Sequence, residues 1–222
     1  MIEAADIAQE NIPYRWELAR RDPLRFLQWF CITCDQHDED HPIKPFPWER
    51  PHVFHLVRLW QDNKLLAVWK SRQMLMTWLF CALSLWDAMF HPGRLVMLQS
   101  KREEDAVGDE NVGDGLLGRI KFILNHMPAV PNMPRYEKIG NRVRFTGNNS
   151  TLWAIPQGAD IIRQRTASGI FSDEAAFQDE FSDAYVAARP CIRGGGWFVA
   201  LSSVNPGFFQ HLCQDTVSDV DY

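Results

Sequence analysis

Three short stretches carry the residue types needed to handle a phosphate group. The first is Trp69-Lys70-Ser71-Arg72-Gln73-Met74-Leu75-Met76-Thr77-Trp78. It lies between an apolar run of strand length (65–69) and an apolar run of helix length (77–90). A helix N-terminus offers free N–H groups and the positive end of a dipole, so an anion binds there. The general phosphate-loop pattern is G-x-x-x-x-G-K-[ST]. Aligned on Thr77, this chain has Lys70, Leu75 and Met76 where Gly, Gly and Lys stand, so the hydroxyl residue alone matches. Thr77 sits where a hydroxyl can ligate Mg²⁺. Lys70 and Arg72 bring positive charge to phosphates from the start of the loop. The plainer alternative is a strand-to-helix turn with a surface Lys and Arg.

The second stretch is Gly169-Ile170-Phe171-Ser172-Asp173-Glu174, a short apolar strand ending in two acids. Successive side chains at a strand end point differently. One carboxylate can hold Mg²⁺ or its water while the next orients and deprotonates an attacking water. The alternative is a helix N-terminus, where the dipole favours Asp and Glu. The third stretch is Ala200-Leu201-Ser202-Ser203-Val204-Asn205-Pro206-Gly207. Ligands of parallel sheets bind beyond the strands' C-terminal ends, so Ser202, Ser203 and Asn205 face the same crevice, unless this is an ordinary Asn-Pro-Gly turn. Arg163 and Arg165 precede the acidic strand and are expected on the phosphate side.

These stretches need a scaffold, and the apolar pattern supplies one. Asp22-Pro23 reads as an N-cap followed by Pro at the first helical position, and Leu24, Leu27, Phe30 and Cys31 give that helix an apolar face. Residues 35–47 are polar and Pro-rich, hence a loop, and a helix is expected over about 50–61. Strand 65–69 and helix 77–90 follow, then strand 95–98 and a charged helix from Lys101 with a Gly-rich weak spot at 113–118. Residues 128–134 form a Pro-rich connector. Segments 142–146 and 151–155 read as a hairpin around Gly147-Asn148-Asn149-Ser150. Strand 169–172, a helix over about 174–188, a turn at 194–196 and strand 197–201 complete the pattern. Continuous apolar strands alternating with helices predict an α/β fold with a mostly parallel sheet covered on both faces.

Composition narrows the function classes. The chain has 222 residues, 46% hydrophobic and 23% charged, which excludes disordered and fibrous proteins. Its net charge of −5 excludes a general basic coating for nucleic acid, so any such contact must be local. Five cysteines without a secretory pattern fit a reducing compartment better than a disulfide scaffold. The most apolar run, 74–86, is stopped by Asp87, short of the ~20 residues that a membrane span needs, so no membrane partner is expected. The start, MIEAADIAQEN, is acidic and lacks a targeting pattern. Cys31, Cys34, His37 and His41 allow a zinc reading, as a small interaction module, but fall within a shorter span than zinc sites favour. The alternative is two cysteines on the apolar face of a helix and two solvated histidines. Cys81, Cys191 and Cys213 read as core or neutral.

Together the three stretches resemble the ATPase domain of the large terminase subunit of tailed bacteriophages, over roughly residues 24–215. That family's phosphate loop often reads S-R-Q-x-x-x-T, as in Ser71-Arg72-Gln73…Thr77, and several members carry a lysine at the loop's start, here Lys70. Its acidic strand ends Asp-Glu-Ala, as at 173–175, after an R-x-R-T segment, here Arg163-Gln164-Arg165-Thr166. Its coupling motif is a Ser/Thr-rich strand end before a Pro-Gly turn, as at 202–207. Residues 98–106 resemble the strand-then-helix segment that follows the phosphate-loop helix.

The resemblance implies a P-loop NTPase-like (ASCE/RecA-like) fold with an N-terminal helical segment. Its divisions are a helical extension over 1–45, an ATPase core over 46–215, and 216–222 as the end or the start of a linker. It implies ATP and Mg²⁺ as ligands. The cradle is Lys70, Ser71, Arg72, Gln73, Met74, Leu75, Met76 and Thr77. Lys70 reaches the β- and γ-phosphates, Arg72 is a cis arginine finger, Thr77 and Asp173 hold Mg²⁺, and Glu174 positions the attacking water. Ser202, Ser203 and Asn205 couple loss of the γ-phosphate to motion. Arg102 is an alternative finger acting on a neighbouring subunit, or an exposed helix residue paired with acids such as Asp105.

The implied function is Mg²⁺-dependent ATP hydrolysis driving double-stranded DNA into a procapsid. The partners are a homo-oligomeric ring, a portal protein and a small terminase subunit. The expected setting is the host cell cytoplasm rather than the mature virion. Candidate DNA contacts are Lys138, Arg142, Arg144, Arg189 and Arg193. No Gln stands in 46–52, where the family places its adenine contact, which leaves Trp48 as a stacking candidate. The family's nuclease domain has no room before Tyr222, so an isolated domain or a stand-alone ATPase is expected. The alternative function is a catalytically weakened nucleotide-binding or scaffold domain of a packaging complex.

Overall fold

Asp22 and Pro23 mark the first sharp boundary in the computed structural model, which describes residues 11–35 and 37–214. Helix α1 (Ile12–Arg21) ends there and α2 (Pro23–Phe30) begins. The Asp22 carboxylate accepts from the Leu24 N–H at 3.0 Å, and Pro23 fills a first-turn position that needs no N–H partner. Strands β1 (Ile32–Cys34) and β2 (Ile43–Pro45) form a small antiparallel ribbon before α3 (Pro51–Asp62). Then come β3 (Leu65–Trp69), α4 (Met76–Phe90), β4 (Leu95–Gln99), α5 (Glu103–Val107) and α6 (Leu116–His126). A meander of β5 (Tyr136–Ile139), β6 (Arg142–Phe145) and β7 (Ser150–Ile155) leads to α7 (Asp160–Arg163) and β8 (Gly169–Asp173). A single 3₁₀ turn (Ala175–Phe177), α8 (Phe181–Arg193), β9 (Trp197–Ser202) and α9 (Phe208–Cys213) complete the described chain. Among the described residues no helix is long and apolar enough to cross a membrane.

Strands β3 to β9 form one seven-stranded sheet in the order β3-β9-β8-β4-β7-β6-β5. The first five in that order run parallel, and β6 and β5 extend the edge antiparallel. Alternation along the strands feeds two separate cores. Val96, Leu98, Phe171, Val199 and Leu201 point to one face, with α1 to α4 and α6. Met97, Ile170, Phe198 and Ala200 point to the other, with α7, α8 and α9. Both faces are therefore covered, as near-continuous apolar strands require.

The apolar run at 74–86 becomes α4, in which every residue from Trp78 to Met89 is buried. Its one carboxylate, Asp87, accepts from Trp197 Nε1 at 2.9 Å and Arg94 Nε at 3.2 Å, which ties the helix end to β9 and to the start of β4. Buried charge is tolerated when paired in this way. Gly169 faces the Trp197 ring so closely that a Cβ would lie 2.2 Å from it, so no larger residue fits there.

Several expectations need correction. The loop over 35–47 contains β2. The hairpin has a third strand, β5, whose half-polar sequence after the prolines hid it. The charged helix from Lys101 is two helices, because Gly108, Gly113 and Gly115 adopt left-handed φ of 62°, 63° and 59° and reverse the chain between α5 and α6. The helix expected from 174 begins at Phe181, because β8 runs through Asp173 and Glu174 is left-handed. Helix α1 belongs to the expected N-terminal helical segment, and α9 was not anticipated. Trp16, Phe26 and Phe30 of the first two helices cluster with one another, and Trp16 and Phe26 pack on Phe90, so these helices share the core of α4. The acidic start (1–10) and the segment 216–222 lie outside the described residues.

Candidate active site

Four adjacent parallel strands end level with one another. Trp69 of β3 is in register with Ser202 of β9, Leu201 of β9 with Asp173 of β8, and Ser172 of β8 with Gln99 of β4. Lys70, Ser203, Glu174 and Ser100 are the residues that follow, so one crevice receives all three sequence stretches. That edge is where parallel sheets bind ligands.

The loop between β3 and α4 is anchored at its start by the Lys70 N–H, which donates to the Ser202 carbonyl at 2.9 Å. It then turns through Gln73 (φ 62°) and Leu75 (φ 57°) into α4, whose N-terminus has no side-chain cap. Leu75 occupies the second glycine position of the general pattern and takes the backbone conformation that makes glycine common there. Met76, at the usual lysine position, is buried in the core, which leaves Lys70 as the loop's inward-facing cation.

The two carboxylates diverge as expected. Asp173 is only 8% exposed and lies 3.2 and 3.4 Å, by its two oxygens, from Thr77 Oγ1. Burial pushes its carboxyl up to about 6, with Lys70 opposing, Glu174 adding, and Arg119 and the Thr77 hydrogen bond opposing. Glu174 (φ 51°, ψ 40°) turns into the crevice, where Oε1 meets Lys70 Nζ at 2.8 Å and Oε2 accepts from Ser202 Oγ at 3.4 Å. Gln178 Nε2 donates to the Asp173 carbonyl at 2.8 Å and to Ser172 Oγ at 2.9 Å, and so fixes the peptide between the acids. Asn205 Nδ2 donates to the Ala176 carbonyl at 2.9 Å, which holds the 3₁₀ turn from the other side.

Three cavities of about 540, 670 and 220 Å³ adjoin here and share Gln73 and Arg119. The smallest lies within the loop from Lys70 to Thr77. The largest is bordered by Lys70, Arg72, Asp173, Glu174 and Ser203. The third reaches from Gln73 and Trp78 to Arg50, Lys44 and Cys34. Thr77 and Asp173 present hard oxygen donors side by side, one of them a buried carboxylate short of counter-charge. That pair fits Mg²⁺, which takes one or two protein oxygens and completes its shell with phosphate and water.

The expected residues therefore separate. Lys70, Thr77, Asp173, Glu174, Ser202 and Ser203 converge, Arg72 is exposed at the cavity's edge, and Asn205 acts one step behind it. Arg102 is exposed at the start of α5, outside the cavity linings. Arg163 and Arg165 do not reach the phosphate side. Arg163 pairs with Asp160 at 3.5 Å, and Arg165 stands 6.0 Å over the Trp153 ring. Trp48 packs against the core and lines none of these cavities.

The candidate DNA contacts do not share a face. Lys138 turns toward α6 and pairs with Glu110, whereas Arg142 lies 4.0 Å over Trp153 on the opposite face with Arg144. Arg189 and Arg193 are on α8. Among the described residues no group of three or more His, Cys, Asp or Glu gathers as a metal cluster, and the zinc reading falls with it. Cys31 is buried, and the carboxylates of Asp35 and Asp38 accept from the backbone N–H groups of His37 and His41, each at 3.0 Å.

Sequence reasoning missed Gln99, Gln178 and Arg119. Gln99 ends an apolar strand fully buried and joins Ser172 to the carbonyls of Pro156 and Gly158. A polar residue closing an apolar strand was the available signal. Arg119, between Leu117 and Ile120 on a largely buried helix, was a similar signal.

No family model and no curated protein sequence matches the chain. Among solved structures, the large terminase of bacteriophage HK97 is similar with a TM-score of 0.61 at 14% identity, over 91% of this chain and 42% of that one. A point mutant of the large terminase ATPase domain of Thermus phage P74-26 is similar with a TM-score of 0.51 at 17% identity, over 72% of this chain and 68% of that one. The fold is thus that of large-terminase ATPase domains, and the chain spans under half the length of the HK97 protein.

Proposed function

We propose that this chain is a Mg²⁺-dependent ATPase whose hydrolysis drives double-stranded DNA into a phage procapsid, as the ATPase part of a large terminase subunit. One observation carries the reading. The glycine-free loop and the acidic strand end, 96 residues apart in sequence, meet through Thr77 and Asp173 at 3.2 Å. Beside them Lys70 meets Glu174 at 2.8 Å.

Bound Mg²⁺, held by Thr77 and Asp173, would neutralise charge on the β- and γ-phosphates. Lys70 contacts the phosphate chain from the loop's start, and the uncapped N-terminus of α4 contributes N–H donors. Glu174 orients the attacking water and accepts its proton as the water oxygen bonds to the γ-phosphorus. The bond to the β-phosphate oxygen breaks, and ADP and phosphate result. Arg72 lies at the rim, where a cis finger would meet the transferring group. Loss of phosphate changes what Lys70 and Glu174 grip. Ser202 holds Glu174 and Asn205 holds the next turn, so that change passes into β9 and the segment behind it.

DNA contacts would be directed at phosphates and independent of sequence, with Arg142, Arg144 and Arg193 as donors. A ring of such chains with a portal and a small subunit, in the host cytoplasm and absent from the virion, is the setting this reading requires. Hydrolysis of MgATP by Glu174→Gln tests it. Turnover should fall by ~10²–10⁴ while nucleotide binding persists. Equal, measurable turnover in the two proteins would remove Glu174 from the chemistry and the reading with it.

A further inference from the structure

Arg119 sits one turn into α6, and its side chain reaches the junction of all three cavities. Two contacts hold it there. Nη1 donates to the Gly115 carbonyl at 2.7 Å, and the guanidinium stands 5.6 Å over the Trp78 ring. Nε is buried and has no hydrogen-bond partner, and no carboxylate of the described residues forms an ion pair with it. A guanidinium has five N–H donors in a planar fork that matches phosphate oxygens. Leaving such donors buried and unmatched is costly.

The other cations of the crevice are differently disposed. Lys70 is engaged by Glu174, Lys101 pairs with Asp179 at 3.4 Å, and Arg72 is exposed. Carboxylates of Glu104, Asp105, Asp114, Asp173 and Glu174 line the same large cavity. A polyanion entering it therefore needs a fixed cation to offset them, and Arg119 is already oriented by Trp78 and Gly115. It lines the loop cavity together with Lys70 but from a different element, so it adds a second cation to the same space.

We infer that Arg119 binds the phosphate chain of the nucleotide within the same subunit, acting from α6 in addition to Lys70 of the loop. The inference rests on the nucleotide reading above, and the test separates the two. Binding of a non-hydrolysable MgATP analogue and of inorganic tripolyphosphate is measured by calorimetry on wild type and Arg119→Gln, with melting temperatures taken without ligand. The expected result is a loss of at least ~10-fold in affinity for both ligands, with the ligand-free melting temperature changed little. Undiminished binding by Arg119→Gln overturns the inference and leaves the nucleotide reading intact.

If Arg119→Gln does not fold, Arg119→Lys carries the test, since it keeps the stem over Trp78 and the charge but loses the fork. A loss of ~3-fold or more supports the inference, and wild-type affinity overturns it. Arg119-dependent binding of tripolyphosphate without binding of the ATP analogue would sustain Arg119 as a phosphate ligand and refute the nucleotide reading. Binding of neither by wild type would overturn both.

Discussion

Non-glycine residues occupy the left-handed backbone region in two parts of this molecule, for opposite reasons. In the connector and the β6–β7 turn they are Asn132 and Asn149, with φ of 65° and 60°. Asparagine visits that region readily because its short amide bonds to nearby backbone. At the site they are Gln73, Leu75 and Glu174, with φ of 62°, 57° and 51°. For such residues the conformation costs roughly 1–2 kcal/mol each. It persists where the surroundings over-determine it, as they do at Leu75 and Glu174. Leu75 packs against the main core, and Glu174 is held by Lys70, by Ser202 and, through its preceding carbonyl, by Gln178. The glycines of the general phosphate-loop pattern ease a backbone shape, and this chain reaches that shape by packing and hydrogen bonds.

That comparison can be broken or sharpened, first at the buried acid. Asp173 has a folded value of about 6 against an ordinary 3.8, so between these the folded state binds more protons than the unfolded one. Stability from this group is present at low pH and is lost as pH rises from about 4 to about 6. Asp173→Asn should therefore gain on the order of 2–3 kcal/mol at pH 7, read from denaturant melts, and should flatten that part of the stability profile. Mg²⁺-dependent nucleotide binding should also weaken below about pH 6, because the proton and the metal compete for one carboxylate.

A smaller effect is expected at Gln73, which is exposed. Gln73→Gly relieves the left-handed strain and gives part of it back as unfolded-chain entropy, for a net gain of about 0.5–1 kcal/mol. The smallest is in the hairpin turn. Asn149→Gly should change stability by less than ~0.5 kcal/mol, since no strain is stored there. Equal gains at Gln73 and Asn149 in chemical denaturation would erase the contrast.

Much of this arrangement was legible in the residues. Continuous apolar strands gave the parallel sheet, and the three polar strand ends gave the convergence of Lys70, Thr77, Asp173, Glu174 and Ser202. What escaped depended on contacts between distant segments. Strand β5 is mostly exposed and gains its identity from pairing with β6. Arg163 and Arg165 are close to the acidic strand in sequence, yet α7 turns them toward Asp160 and Trp153. Arg119 and Gln178 lie outside every motif, and they matter because α6 and the turn after β8 fold back onto the site.

The claim at the centre of this account is that a loop without glycines or the usual lysine still cradles phosphate, with Lys70 in the displaced role. Calorimetry of a non-hydrolysable MgATP analogue on wild type and Lys70→Ala tests it most directly. Binding is a better readout than turnover, since it reports on the cradle even where hydrolysis by the isolated chain is slow. The account predicts that wild type binds and that Lys70→Ala loses at least ~10-fold in affinity. No binding by wild type at millimolar nucleotide, or equal binding by both proteins, would contradict it.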